Sequence, residues 1–388
     1  MKVRRLLLNL AAPVGAVAFA LAVSSIFLVV SGNSPIDAYT EMASFGSRVD
    51  SLVSATNRAI PLYFSAMAVA IGFKMGLFNI GVEGQYRIAV IIAAAVGGAV
   101  ALPGVLHIAL IMLVAMAVGS VWAGIAGVLK VKRGVHEVIS TIMLNFIATG
   151  LGAYLLATYL RQENPPGDLI IKTAEIPKSG QFPSLNPLLE AVGLDPGRSE
   201  LHGFVIIAVL AGIGYHLVVQ RTRFGYDLRA TGINPGAAQA GGVDPGAMVI
   251  KTMLLGGAVA GLVGMSLLLG FFHRYTLDFP TFLGFSGITV ALLGRNHPVG
   301  MALGALLFGW LERSAQILDL KGIPKEIVTI ILGIVVLSVV IAYEIARRRI
   351  ETVEVREAAA AAAGRPPPSG WPSFRNRRSS ESGGGEPS

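Results

Sequence analysis

Gly76-Leu77-Phe78-Asn79-Ile80-Gly81-Val82-Glu83-Gly84-Gln85 is the stretch on which the reading of this chain turns. It places three glycines, two side-chain amides and a carboxylate between long apolar runs. Hydrocarbon accepts neither open backbone nor a lone carboxylate unless both face a cavity or other protein. A discontinuous, polar, glycine-rich element between membrane spans is how transport proteins expose backbone groups to a solute. The stretch therefore predicts a membrane pore or carrier. Asn79, Glu83 and Gln85 are the candidate hydrogen-bonding groups on the solute's path, and Phe78 is the candidate stacking face. A second reading of Glu83 stays open: an ion pair with Lys74 or Arg87 that satisfies a helix break.

Composition bounds the class. The 388 residues have a mean hydropathy of +0.66, are 53% hydrophobic and only 14% charged. Soluble domains carry roughly 25% charged residues, so this is the composition of a chain that lives in a bilayer. The absence of cysteine excludes disulfides, thiolate catalysis and cysteine metal sites. The net charge of +8 does not point to nucleic acid, because most of the excess sits beside apolar runs. The N-terminus resembles a signal peptide, but its apolar run from Leu6 to Val30 is 25 residues long. Signal-peptide cores run to roughly 7–15 residues, so an uncleaved first helix is expected.

The fold predicted is an all-α polytopic membrane protein. Charge-free runs that can span, at about 20 residues per helix, begin with Leu6–Val30 and a short Ala59–Phe73 that stops at Lys74. Ile88–Leu129 has no charge at all and is divided by Pro103-Gly104 into two spans. Val138–Leu160, Leu201–Gln220 and Thr252–Phe272 follow, and then the shorter runs Phe279–Gly294, Asn296–Leu311 and Ile327–Tyr343. The count is about ten. With ten spans the cation clusters Lys2/Arg4/Arg5, Lys130/Lys132/Arg133, Arg221/Arg223/Arg229 and Arg347–Arg349 all fall on one side. The charge bias makes that side cytoplasmic and puts both termini there. Residues 1–349 are then the transmembrane domain, with an external loop at 161–200 and a cytoplasmic loop at 221–247. Beyond Arg349 an alanine run gives way to Pro, Ser, Gly and Arg, the composition of a disordered cytoplasmic tail over 350–388. Phe282-Leu-Gly-Phe-Ser-Gly-Ile-Thr-Val-Ala-Leu-Leu-Gly294 faintly echoes the first motif and suits an inverted repeat; Phe282, Phe285 and Ser286 join the candidate path.

Other segments invite local readings. In the loop from Arg221 to Asp244, Asn234-Pro235 reads as a helix entry and Gly241-Gly242 as its end. The small-residue turn between them suits docking into another protein's groove; an ordinary basic loop at the headgroups is the plainer reading. His136-Glu137 opens a span and lacks the second histidine of a zinc motif. Glu137 there meets the helix dipole and the nearby Lys132 and Arg133. Asn145, two turns deeper, either faces the solute or makes a helix–helix hydrogen bond. Gly294–Gly300 reads as a structural turn, and His273, Arg274 and Tyr275 as a span's outer end. No Walker A loop, Gly-x-Ser-x-Gly or cluster of intramembrane acids is present, so the sequence offers no catalytic, metal or cofactor site. Energy for pumping would come from a partner.

Four motifs carry a family resemblance: Lys74–Gln85, Glu137–Asn145, Leu228-Arg-Ala-Thr-Gly-Ile-Asn-Pro-Gly-Ala-Ala238 and Phe285–Pro298. In this order they resemble the permease subunits of bacterial nucleoside-type ABC importers and, less closely, the ribose and branched-chain amino-acid permeases of the same superfamily. The resemblance implies a transport subunit of the bacterial plasma membrane that is not itself an enzyme. It implies ABC ATPase subunits, a second permease subunit (identical or different) and an extracytoplasmic substrate-binding lipoprotein as partners, with no cofactor. It implies an architecture like that of the vitamin B12 importer permease, with ten helices and inverted halves. It implies that Arg229–Gly241, including Gly232, Asn234, Pro235, Ala237, Ala238 and Gly241, forms the coupling helix seated on the ATPase. Nucleosides are the solute expected, with a sugar or a branched-chain amino acid as alternatives and an ion-coupled carrier or a membrane-embedded enzyme as rivals from other classes.

Overall fold

The computed structural model describes residues 18–19, 21–163, 167–323 and, beyond these, 330, 333–334, 337–338 and 341. Contacts divide the chain into two units, residues 1–26 with 333–388, and residues 27–332. The described residues of the first unit are helical. The second holds the long helices considered below.

In chain order the helices are α1 (Leu21–Val30), α2 (Pro35–Gly46), α3 (Val49–Phe73), α4 (Val82–Ala99), α5 (Gly104–Arg133), α6 (Glu137–Leu155) and the short α7 (Asn186–Ala191). They continue with α8 (Phe204–His216), α9 (Arg223–Ile233), α10 (Pro235–Ala240), α11 (Pro245–Gly261), α12 (Met265–Leu267), α13 (Leu283–Leu293) and α14 (Pro298–Leu320). Single π turns prolong α6 to Leu160, α8 to Arg221 and α12 to Phe272. Among the described residues there are no strands, only the isolated bridges Lys172 to Thr276 and Ser184 to His202. Among the described residues four helices are long and apolar enough to cross a membrane: α5, α6 with its π turn, α8 with its π turn, and the run Pro245–Phe272. A fifth is gained if Leu21–Val30 and Pro35–Gly46 form one broken span.

Local chemistry explains the boundaries. Gly134 ends α5 in the left-handed region (φ 66), where its N–H bonds to the Lys130 carbonyl. Lys130, Lys132 and Arg133 sit in that last turn, where cations complement the helix dipole. Asp244 caps α11 by accepting from the Gly246 and Ala247 N–H groups, and Pro245 takes the first helical position.

Packing between helices relies on small residues, since burial away from lipid gives helices little drive to associate. At the α5–α11 seam a Cβ on Gly257 would lie 2.3 Å from the Gly119 carbonyl oxygen, and one on Gly261 would lie 2.0 Å from that of Ala115. Helix α3 packs chiefly on α13 and α14, and α11 chiefly on α5; α11 also lies against α3 and, less extensively, α4.

Some boundaries differ from the sequence reading. The run expected as Phe279–Gly294 forms only the eleven-residue α13, about 17 Å long, which is too short to cross alone. The run expected to stop at Leu311 continues as α14 to Leu320 and takes Glu312 and Arg313 with it. Hydropathy ends a span at the first charges, whereas the helix follows its backbone hydrogen bonds. Helices α2 and α9 stand where loops were expected. Residues 1–17, most of Ile327–Tyr343 and the expected tail over 350–388 lie outside the described residues.

Candidate functional site

The chain from Phe73 to Val82 leaves one helix and enters the next through an open turn. Helix α3 ends at Phe73 with Lys74 as its C-cap, Gly76 takes a left-handed φ of 75°, and α4 begins after Gly81. Asn79 closes the turn: its Oδ1 accepts from the Gly81 N–H at 3.0 Å and from Gln85 Nε2 at 2.9 Å, while its Nδ2 donates to Gln85 Oε1 at 3.3 Å. The two amides thus form a buried, closed pair.

Glu83 reaches a distant segment. Its Oε1 accepts from the Phe282 N–H at 2.8 Å and its Oε2 from the Gly284 N–H at 2.9 Å. These are N–H groups at the start of α13, where the helix dipole favours an anion. The Tyr86 hydroxyl stands 3.0 Å from Glu83 Oε1 and 2.9 Å from the Pro280 carbonyl, sharing one proton between two acceptors. Neither Lys74 nor Arg87 is the partner; Arg87 Nη1 donates to Thr149 Oγ1 at 3.2 Å instead. The contact is close, because a Cβ on Gly284 would lie 2.3 Å from the Glu83 nitrogen. Phe282 itself adopts φ 65°, a left-handed conformation rarely taken by a bulky residue.

Asn145 of α6 binds the same turn from the other side. Its Oδ1 accepts from the Gly84 N–H at 2.8 Å and its Nδ2 donates to the Ile80 carbonyl at 3.0 Å. Of the two readings of this residue, the helix–helix hydrogen bond is the one observed. Glu137, at the start of α6, pairs with Lys130 rather than Lys132 or Arg133, across the Gly134 turn. Its Oε1 lies 3.5 Å from the Phe78 N–H.

The structure thus brings Asn79, Glu83, Gln85 and Asn145 together as buried groups satisfied by protein partners. The aromatic candidates behave differently. Phe78, Phe282 and Phe285 are exposed, with the Phe282 and Phe285 rings 6.0 Å apart and Phe78 against Phe73 at 5.0 Å. Ser286 is half-buried. Tyr86 was not singled out in the sequence, although its i+3 spacing from Glu83 places both on one helix face.

The segment after α8 meets the same turn. Gly232, near the end of α9, lies so close that a Cβ there would be 2.8 Å from both the Lys74 carbonyl oxygen and the Met75 Cα. Asn234 caps α10 by accepting from the Ala237 N–H at 3.0 Å, and Pro235 occupies the first position. Ala238 is buried, whereas Asn234, Pro235, Ala237 and Gly241 are exposed. Arg229 holds the Val219 carbonyl. The neighbouring Ile233 is 86% exposed, a large apolar side chain that the small-residue pattern of α10 had overshadowed.

Long apolar helices around a broken, internally hydrogen-bonded centre define a multi-pass membrane protein. Comparison with known proteins gives the family: the one described as branched-chain amino acid transport system, permease component, matches residues 51–340, and the chain belongs to it. The chain is 36% identical over 342 residues to the guanosine ABC transporter permease protein NupP of Bacillus subtilis, covering 87% of this chain and 94% of that protein. It is 33% identical to the glucose ABC transporter permease protein TsgB13 of Haloferax volcanii, covering 87% and 89%. The nucleoside ABC transporter permease protein NupB of Lactococcus lactis is 28% identical, covering 89% and 95%. No solved structure matches. As a permease component the chain is a transport subunit of the plasma membrane, and ATP hydrolysis falls to a separate ATPase.

Proposed function

We propose that this permease imports nucleosides, with a second permease subunit completing the pore, ATPases beneath it and an extracytoplasmic lipoprotein delivering the solute. Two of the relatives above are named for guanosine or nucleosides and one for glucose, which makes a sugar the alternative cargo. Ten membrane segments with both termini cytoplasmic, counting Ile327–Tyr343 and the short α13 as a segment that crosses only together with the chain flanking it, make residues 1–349 the membrane domain, 161–200 the external loop and 221–247 the cytoplasmic one. The packing of α3 on α13 and α14, and of α11 on α5, with α3 and α11 also in contact, is the observation that favours two related halves like those of the vitamin B12 importer permease.

The observation that carries the mechanism is the contact of Gly232 with the backbone of Lys74 and Met75. A force applied by the ATPase at Arg229–Gly241, seated through Asn234, Pro235, Ala237, Ala238 and Gly241, passes directly into the turn before α4. From there Glu83 carries it to Phe282 and Gly284. Phe78, Phe282, Phe285 and Ser286 then line the path, and Asn79, Glu83, Gln85 and Asn145 hold its frame. Alternating access is a shift of this clasped pair of breaks between outward and inward exposure. Reconstituted with its partners, the permease is expected to take up labelled guanosine only with ATP. Asn234→Trp is expected to abolish that uptake while the protein remains folded and monodisperse; unchanged uptake would remove the coupling role.

A further inference from the structure

The run Phe204–Arg221 has 18 residues and is therefore about 27 Å long, close to the roughly 30 Å of a bilayer's hydrocarbon core. A helix of that length crosses only with both ends at the polar boundaries. Ile206, Val209, Leu210 and Ile213 are exposed on it at helical spacing, an apolar stripe that fits lipid. The preceding segment is stitched to the start of this helix. The Gly203 N–H donates to the Pro183 carbonyl at 3.0 Å and the Leu185 N–H to the Leu201 carbonyl at 2.8 Å. Asn186 Oδ1 accepts from the Leu201 N–H at 2.9 Å, its Nδ2 donates to the Ser199 carbonyl at 3.0 Å, and the Phe182 ring lies 5.1 Å from that of Phe204.

These bonds hold α7 (Asn186–Ala191) at the level where α8 begins, and the headgroup layer there is about 5–8 Å deep. None of the residues of α7 is fully buried. Leu188 is 65% and Val192, its C-cap, 67% exposed; four residues apart, they share one face. Gly193 then turns the chain at a left-handed φ of 79°, and the Leu194 N–H bonds back to the Leu189 carbonyl at 3.0 Å. Leu194, exposed as well, is thereby returned to the end of α7. Leu185 and Leu189 are half-buried, so the helix is seated by one pair of leucines and presents another apolar set outward.

We propose that Leu188, Val192 and Leu194 form a foot that rests in the lipid surface, at the boundary between headgroups and acyl chains. The inference rests on the membrane placement of α8 and, for the outer leaflet, on the orientation given above. Two observations select lipid as the occupant: the depth fixed by the length of α8, and the apolar stripe on α8 that begins at the same end. Apolar side chains at that depth bury themselves in the interface while neighbouring charges such as Glu190 stay in water. The foot also reaches the centre of the molecule, because the Phe182 N–H donates to the Leu269 carbonyl at 2.8 Å. The outer ends of α8 and of the run Pro245–Phe272 are thus tied to one anchor in the bilayer surface.

The chain has no cysteine, so single-cysteine variants each carry one reporter. Leu188→Cys, Val192→Cys, Glu190→Cys and Ile206→Cys are labelled with a nitroxide in the permease–ATPase complex, reconstituted into vesicles of phosphatidylethanolamine and phosphatidylglycerol. Oxygen concentrates in lipid and a nickel chelate in water, so the ratio of their relaxation effects reads depth. The ratio at 188 and 192 is expected to stand several-fold above that at 190 and to approach that at 206. Leu188→Trp, read as added quenching by phospholipids brominated high in their acyl chains, serves should a label disturb the fold. Ratios at 188 and 192 equal to that at 190 overturn the inference, as does shielding that appears only when the extracytoplasmic lipoprotein is added, which makes the face a protein dock. Both results leave the permease reading standing. Nickel access at 206 as well overturns the membrane placement of α8, and the foot with it.

Discussion

Glu83 shows how one side chain can join distant parts of a chain. Charge-assisted hydrogen bonds such as those to Phe282 and Gly284 contribute about 1.5–3 kcal/mol each, and buried N–H groups left without a partner cost a similar amount. Glu83→Ala is therefore expected to destabilise the protein by about 3 kcal/mol or more in detergent, read as a lower thermal midpoint. Glu83→Gln, which keeps an acceptor, is expected to lose less. At the helix ends, His202 and His273 give a pH signature. Burial holds both imidazoles below their usual range, against the opposing pull of Glu200 on His202 and of Glu175 on His273. The unfolded chain then binds protons more readily than the folded one. Their contribution to stability is complete above about pH 6.5 and is lost as pH falls through the lowered folded values. Thermal midpoints are expected to decline between pH 7.5 and 5, with a shallower slope in His202→Gln.

Elements meet at two contacts where glycine is required by space. At Gly232 the atoms that a Cβ would strike are the backbone of Lys74 and Met75, which no rotamer change can move. Gly232→Val is expected to lower ATP-driven uptake more than tenfold, with a smaller effect on the yield of folded protein. At the α5–α11 seam, Gly257 faces the Gly119 carbonyl and the Ala123 Cβ. Overpacking there costs about 1–3 kcal/mol, and more when backbone must separate. Gly257→Leu is expected to remove the monodisperse peak in size-exclusion chromatography. The contrast is instructive: one glycine sits between a surface helix and a turn, the other within the packed centre.

For the whole molecule, the long apolar helices were legible because hydropathy and span length report the same constraint. Pro103-Gly104 and Asn234-Pro235 marked true boundaries for equally local reasons. Partnerships were not legible. Nothing in the pattern around Glu83 indicates that its donors lie about 200 residues away, and local charges such as Lys74 and Arg87 were the natural partners to consider. Glu312 was hidden because a charge ends an apolar run in the sequence but not a helix in the fold. The clasp on Glu83 also bears on biogenesis. The carboxylate is synthesised long before the α13 backbone that receives it, so for most of translation α4 enters the bilayer with an anion whose two main donors do not yet exist. Insertion of the first helices must therefore be provisional, and the ribosome's delivery of residues 282–284 is the step that locks them.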